Sequence, residues 1–200
     1  MANLPTNTKQ LSQRVRRKMM LEAVASPCDL TYKASVDQAC TAANLEKYTG
    51  SLYGRCEWRY VYGSKDFIAW ANAQLPGIVP ERVESGTAAE QLEAEFYGFR
   101  DGLGLAYGTD IRCLETAVGC LEPLELGVWE LKTPDIRLFG WFPDVNYFVV
   151  HSGAEKRKLP LKRDYAPFIA EIVRFRQSLV SFLPNHIIGG RLSDVISNRS

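Results

Sequence analysis

The sequence predicts an α+β domain: a curved antiparallel β-sheet packed against two helices on its N-terminal side and one on its C-terminal side. Two observations carry this. Between Gly127 and Lys158, three β-type runs follow one another with almost no linker. They are Val128–Lys132, Ile136–Phe142 and Tyr147–His151, with Pro134-Asp135 and Pro143-Asp144-Val145-Asn146 supplying the turns. Further on, Phe168, Ile172, Phe175 and Leu179 recur at helical spacing, the clearest helix signal in the chain.

Taken in order, residues 1–8 are polar. Lys9–Ala25 reads as a basic helix carrying Lys9, Arg14, Arg16, Arg17 and Lys18, ended by Ser26-Pro27. Ser35–Tyr48 is a second helical segment. Gly50-Ser51 and Gly54 break the pattern, so residues 1–50 form a helical extension, 51–185 the main domain and 186–200 a flexible tail. In the main domain, Cys56–Tyr62 alternates and is rich in aromatics, as a first strand should be. Asp66 is positioned to cap a helix over Phe67–Leu75, which Pro76-Gly77 stops. Glu84–Tyr97 places Ala88, Leu92 and Phe96 on one helical face. Gly98–Gly108 reads as a turn region, lacking both the Lys-Ser/Thr of a P-loop and the spacing of a dinucleotide fingerprint. Ile111–Val118 is ambiguous between a short strand and a helix. Asp164 is a plausible N-cap for the last helix, with Pro167 in its first turn.

Composition narrows the function classes. The 200 residues carry 24 Lys and Arg against 23 Asp and Glu, so any basic surface for a nucleic acid must be local. The five cysteines include no C-x-x-C, and His151 and His186 are the only histidines, which argues against zinc and for reduced structural thiols. Glu93, Glu95 and Asp101 are spaced like a solvated helix face and carry no metal signature. Met19-Met20-Leu21 is stopped by Glu22, so no signal peptide is expected. No apolar run approaches the roughly 20 residues of a membrane span. The expected setting is cytoplasmic, with no membrane, metal or cofactor.

Strand alternation places Arg137, Phe139 and Trp141 on one face of the second run, opposite Ile136, Leu138 and Phe142. A guanidinium beside two aromatic rings suits a phosphate and stacked bases. The plainer alternative is that both faces are buried, with Arg137 paired to Glu130. Lys156, Arg157 and Lys158, continued by Lys162 and Arg163, follow the third run. His151, at the end of that run, has a side chain suited to acid–base chemistry near neutrality, or serves a structural role.

The order strand, helix, helix, three-stranded meander, helix resembles the RelE/ParE superfamily of small bacterial toxins. The resemblance is closest to its phage-associated HigB-like branch. It is specific over Pro123-Leu124, Gly127-Val128-Trp129-Glu130-Leu131-Lys132, Ile136-Arg137-Leu138-Phe139, Val149-Val150-His151-Ser152-Gly153 and Lys156-Arg157-Lys158. It implies the toxin of a type II toxin–antitoxin system. Such a toxin is a metal-independent endoribonuclease that cuts mRNA on the ribosome and is held inactive by a cognate antitoxin. In that scheme Arg137 clamps the phosphate, Lys156 and Lys158 add charge at the transition state, and His151 and Tyr165 complete the catalytic set. Lys132, Phe139, Trp141, Arg157 and Lys162 bind RNA. The alternative is a non-catalytic interaction module on the same fold, prompted by Glu130 where a RelE lysine would stand. A separate expectation is that the basic segment Lys9–Ala25 contacts nucleic acid or an acidic partner.

Overall fold

The computed structural model describes residues 27–49, 57–114 and 127–197. The expected basic helix over Lys9–Ala25 lies outside them. The chain divides into two compact units, Met1–Gln38 and Ala39–Ser200. Helix α1 spans Pro27–Ala42, starting earlier than the expected Ser35, with Pro27 at its first turn, where a missing N–H costs little.

The second unit is built on a six-stranded sheet of order β1-β2-β6-β5-β4-β3. Its strands are β1 (Glu46–Lys47), β2 (Tyr60–Gly63), β3 (Ile111–Cys113), β4 (Val128–Lys132), β5 (Ile136–Asp144) and β6 (Tyr147–Glu155). The meander stands where alternation predicts it, and β4 has the predicted limits. The sheet is mixed rather than antiparallel throughout, because β2 lies parallel to β6, with Tyr60 opposite Tyr147 and Gly63 opposite Val150. Parallel neighbours require a crossover connection. Here helices α2 (Lys65–Gln74) and α3 (Ala88–Arg100) lie between β2 and the meander in the chain.

Local chemistry fixes the helix starts. Ser64, rather than Asp66, caps α2: its hydroxyl accepts the Phe67 N–H at 3.1 Å. Thr87 and Glu90 form a reciprocal capping box on α3, so the helix begins four residues after the expected Glu84. Helix α4 spans Ala166–Ser178 with Pro167 in its first turn. Asp164 instead accepts the Leu161 N–H at 2.8 Å in the 3₁₀ turn Lys162–Tyr165 that precedes α4.

Each face of the sheet is covered. Trp129, Leu131, Ile136, Leu138, Phe142, Phe148 and Val150 form a core with Phe67 and Ala71 of α2 and Leu92, Phe96 and Phe99 of α3. On the opposite face, Phe168 of α4 stacks on Phe139 with ring centroids 4.6 Å apart. Phe175 meets Trp141 edge-on at 6.0 Å, and Ile172 is fully buried. The segment expected as a flexible tail over 186–200 packs as far as Ser197. Ile187 N–H reaches the Phe142 carbonyl and Asn146 N–H the Val195 carbonyl, while Val195 and Ile196 enter the core beside the short helix α5 (Leu192–Val195).

Candidate anion-binding site

Register brings one charged cluster together on the α4 face. Arg112 of β3 lies directly across from Glu130 of β4, and Lys132 of β4 across from Arg137 of β5. Glu130 is completely buried, and its Oε2 accepts the Arg112 Nε–H. Its Oε1 lies 3.3 Å from Arg137 Nε. Arg137 also donates through Nη1 to the carbonyls of Thr133 (2.6 Å) and Ile136 (2.7 Å). Tyr165 closes the cluster, with the Arg112 guanidinium 5.2 Å above its ring. The predicted pairing of Arg137 with Glu130 is therefore present, yet the arginine is not sealed: its side chain keeps 14% exposure and that of Arg112 28%.

The turn behind Arg137 is held by a buried polar network. Gln91 of α3 donates to Asp135 Oδ2 at 2.6 Å and accepts from Asp135 N at 3.0 Å and from the Thr133 hydroxyl at 3.1 Å. Because the Thr133 and Ile136 carbonyls that hold Arg137 belong to this turn, Gln91 fixes the arginine through the backbone. Burial lowers the pKa of Lys132, against the pull of Glu130, and its ammonium donates to the Gly108 carbonyl. Burial raises that of Tyr165, with the Glu130 charge adding to the effect, so the phenol stays protonated.

Other predicted site residues lie elsewhere. Lys156 pairs with Glu81 at 2.7 Å, and Arg157 and Lys158 both pair with Glu155. Lys158 lines a cleft of about 520 Å³ with Trp70, Gln74, Leu159 and Phe168, and Arg137 is not among its walls. The basic loop and Arg137 share no acceptor among the described residues. Lys162 is exposed on the turn that carries Tyr165. Phe139 and Trp141 are fully buried beneath α4, so in this arrangement neither ring offers a face to a base.

His151 is not at a strand end, because β6 continues to Glu155. It sits beside a bulge opposite Phe139 and Gly140, 3% exposed, its ring stacked on Phe175 at 3.9 Å. Its Nδ1 is 2.8 Å from Ser64 Oγ and its Nε2 3.6 Å from Glu171. A serine, a histidine and a carboxylate thus lie in line, but the hydroxyl is spent on capping α2 and both Ser64 and His151 are buried. The trio acts as a pin joining α2, β6 and α4. Burial lowers the His151 pKa, only partly opposed by Asp66, so the imidazole is neutral at neutral pH.

Sequence reasoning missed Arg112, Glu130 as a hub, and Gln91. Arg112 had one signal: it alternates between apolar Ile111 and Cys113 in a segment left between strand and helix. Among the described residues no group of three His, Cys, Asp or Glu could hold a metal ion, and no helix is long and apolar enough to cross a membrane. No family model matches the chain, and neither does any curated protein or solved structure.

Proposed function

We propose that the chain binds RNA phosphate at the Arg112–Lys132–Arg137 cluster and cleaves the RNA there, as a RelE/HigB-like toxin of a cytoplasmic toxin–antitoxin pair. The observation that carries this reading is three partly buried cations gathered beside one buried carboxylate, with a protonated phenol beside them. In the reaction the RNA 2′-oxygen attacks the adjacent phosphorus. The O2′–P bond forms, the P–O5′ bond breaks, and the products are a 2′,3′-cyclic phosphate and a 5′-hydroxyl. The 2′-hydroxyl proton passes to water. Arg112 and Arg137 hold the non-bridging oxygens, whose charge rises in the phosphorane. Lys132, made a stronger acid by burial, delivers a proton to the departing 5′-oxygen. The element order strand, two helices, meander, helix supports the same reading at the level of architecture.

The test is induction of the chain in bacteria without an antitoxin, followed by mapping of mRNA 5′ ends. New 5′-hydroxyl ends that also appear in vitro with EDTA present, and vanish in Arg137→Ala, are the expected result. Normal growth with intact transcripts removes the proposal.

The burial of Phe139 and Trp141 and the partial neutralisation by Glu130 favour a second reading, a non-catalytic module that binds a partner protein through this face. A protein partner whose capture survives Arg137→Ala combined with Lys156→Ala supports it; loss of capture counts against it.

A further inference from the structure

The way Glu130 engages its two arginines has a directional consequence. A carboxylate that competed with phosphate would take the forked ends of the guanidiniums, where bidentate pairing is strongest. Glu130 does the opposite. It accepts the Nε–H of Arg112, and its Oε1 faces Arg137 Nε at 3.3 Å as an ion pair without a hydrogen bond, in each case at the rear edge of the group. Arg137 Nη1 is turned back onto two backbone carbonyls. Among the described residues, no acceptor engages either Nη of Arg112 or Nη2 of Arg137. Glu130 itself is fully buried on the strand between β3 and β5, so it cannot move outward.

We infer that Glu130 is a positioning residue that ties Arg112 and Arg137 by their Nε edges, so that their outward N–H groups form one fork for a tetrahedral phosphoryl group. Arg112 is then a phosphate-contacting residue that the sequence did not suggest. The local charge suits an anion: Arg112, Lys132 and Arg137 against Glu130 and Asp110 leave a net excess of one positive charge. The chain that joins Glu130 to the rest is rigid strand on both sides, so the fork exists before the anion arrives. This inference rests on the phosphate-binding part of the function proposed above, and not on cleavage.

The experiment titrates inorganic phosphate into the full chain, following the arginine side-chain resonances by ¹⁵N NMR. Single-stranded RNA cleavage is assayed on the same proteins. Expected are saturable one-to-one binding, large shifts at the Nη–H groups of Arg112 and Arg137, and small shifts at their Nε–H groups. Glu130→Gln, which adds net positive charge, weakens phosphate binding about tenfold and erases the difference between Nη and Nε shifts. Arg112→Lys, a change at a partly exposed site that keeps the charge but not the fork, also weakens it about tenfold. Unchanged or tighter binding by Glu130→Gln overturns the inference, because it makes Glu130 a competitor. Should Glu130→Gln fail to fold, Arg112→Lys decides alone: wild-type affinity in that variant overturns the fork. No binding by the wild-type chain also overturns it. Phosphate binding with the expected variant pattern but no RNA cleavage keeps the fork and removes the nuclease. Cleavage with variant-insensitive phosphate binding does the reverse.

Discussion

Replacing Phe139 with alanine separates two roles for one ring. Phe139 is fully buried, stacked on Phe168 at 4.6 Å and met edge-on by Tyr165 at 5.8 Å. Truncating such a ring costs roughly 3–5 kcal/mol, of which the two aromatic pairs account for about 0.5–1.5 kcal/mol each. Total stability of a domain is only about 5–15 kcal/mol, so the loss is a large share of it. For a chain of this size it lowers Tm by roughly 6–20 °C. The assay is urea unfolding at pH 7.5 of wild type and Phe139→Ala, with the slope compared to confirm that the same surface is exposed. Anisotropy of a labelled single-stranded RNA is read on the folded variant. A base-stacking platform gives the opposite signature: a stability loss under about 1 kcal/mol and an affinity loss worth about 1–3 kcal/mol. The second pattern refutes the docking of α4 over this face and restores the ring to RNA binding.

Gly140→Ala is expected to be severely destabilising, because its Cβ falls 2.0 Å from the Val149 carbonyl oxygen, a backbone atom that cannot step aside. Gly104→Ala, where nothing lies within 4 Å, serves as the control and stays within about 0.5 kcal/mol in thermal unfolding. His151 and Glu95 should tilt stability with pH in opposite directions. Burial depresses the folded-state pKa of His151, so below about 6.5 the unfolded chain takes up a proton that the folded chain refuses, and stability falls with pH from there. Its removal in His151→Gln should shrink the drop in unfolding free energy between pH 7 and pH 5; a difference from wild type that is the same at both pH values refutes this. Glu95, expected on a solvated helix face, is half-buried, and burial together with the Asp110 charge pushes its pKa up to about 7. The folded state then holds the extra proton, so stability is lost as pH rises from about 4.5 to about 7. Glu95→Gln should therefore be more stable than wild type at pH 8 by about 1–3 kcal/mol and near neutral in effect at pH 4, and equal effects at the two pH values count against it.

The parts of this fold that are local were legible, and the parts that depend on distant partners were not. Val128–Lys132 announces itself by β-type residues and a following turn, and α4 by Phe168, Ile172 and Phe175 on one stripe. By contrast β1 and β3 have two and three residues, too few for any period to show. Ser152-Gly153-Ala154 lacks β-branched and aromatic residues, which concealed the continuation of β6 past His151. Alternation correctly placed Arg137, Phe139 and Trp141 on one face. It could not say that Phe168 and Phe175, some thirty residues further along the chain, would cover the rings while leaving the arginine a small exposed edge. Gln91 reads as an ordinary helix residue, and only tertiary contact shows it gripping the Thr133–Asp135 turn.

The two basic clusters illustrate why a run of charges in sequence is a poor guide to charge available in space. Lys156, Arg157 and Lys158 stand out on reading, yet Glu81 and Glu155 take up all three, leaving one excess positive charge over five ionised groups. Arg112, Lys132 and Arg137 are scattered over 26 positions on three strands, with the two arginines sharing one buried carboxylate and Asp110 near the lysine, so the excess is again one charge over five groups. The geometry, not the arithmetic, separates them. Exposed ion pairs such as Lys156–Glu81 hold long side chains only weakly, so an arriving phosphate must compete with mobile carboxylates for mobile cations. In the second cluster the carboxylate is buried and approaches from behind, so its attraction fixes the guanidiniums without occupying the atoms a phosphate would use. A double-charge reversal separates the two clusters: Lys156→Glu with Lys158→Glu should reduce RNA affinity only through long-range repulsion that 0.3 M salt largely screens. Arg112→Glu with Arg137→Glu should abolish binding at every salt concentration. Equal, salt-insensitive losses in the two variants would return the basic loop to the centre of the site.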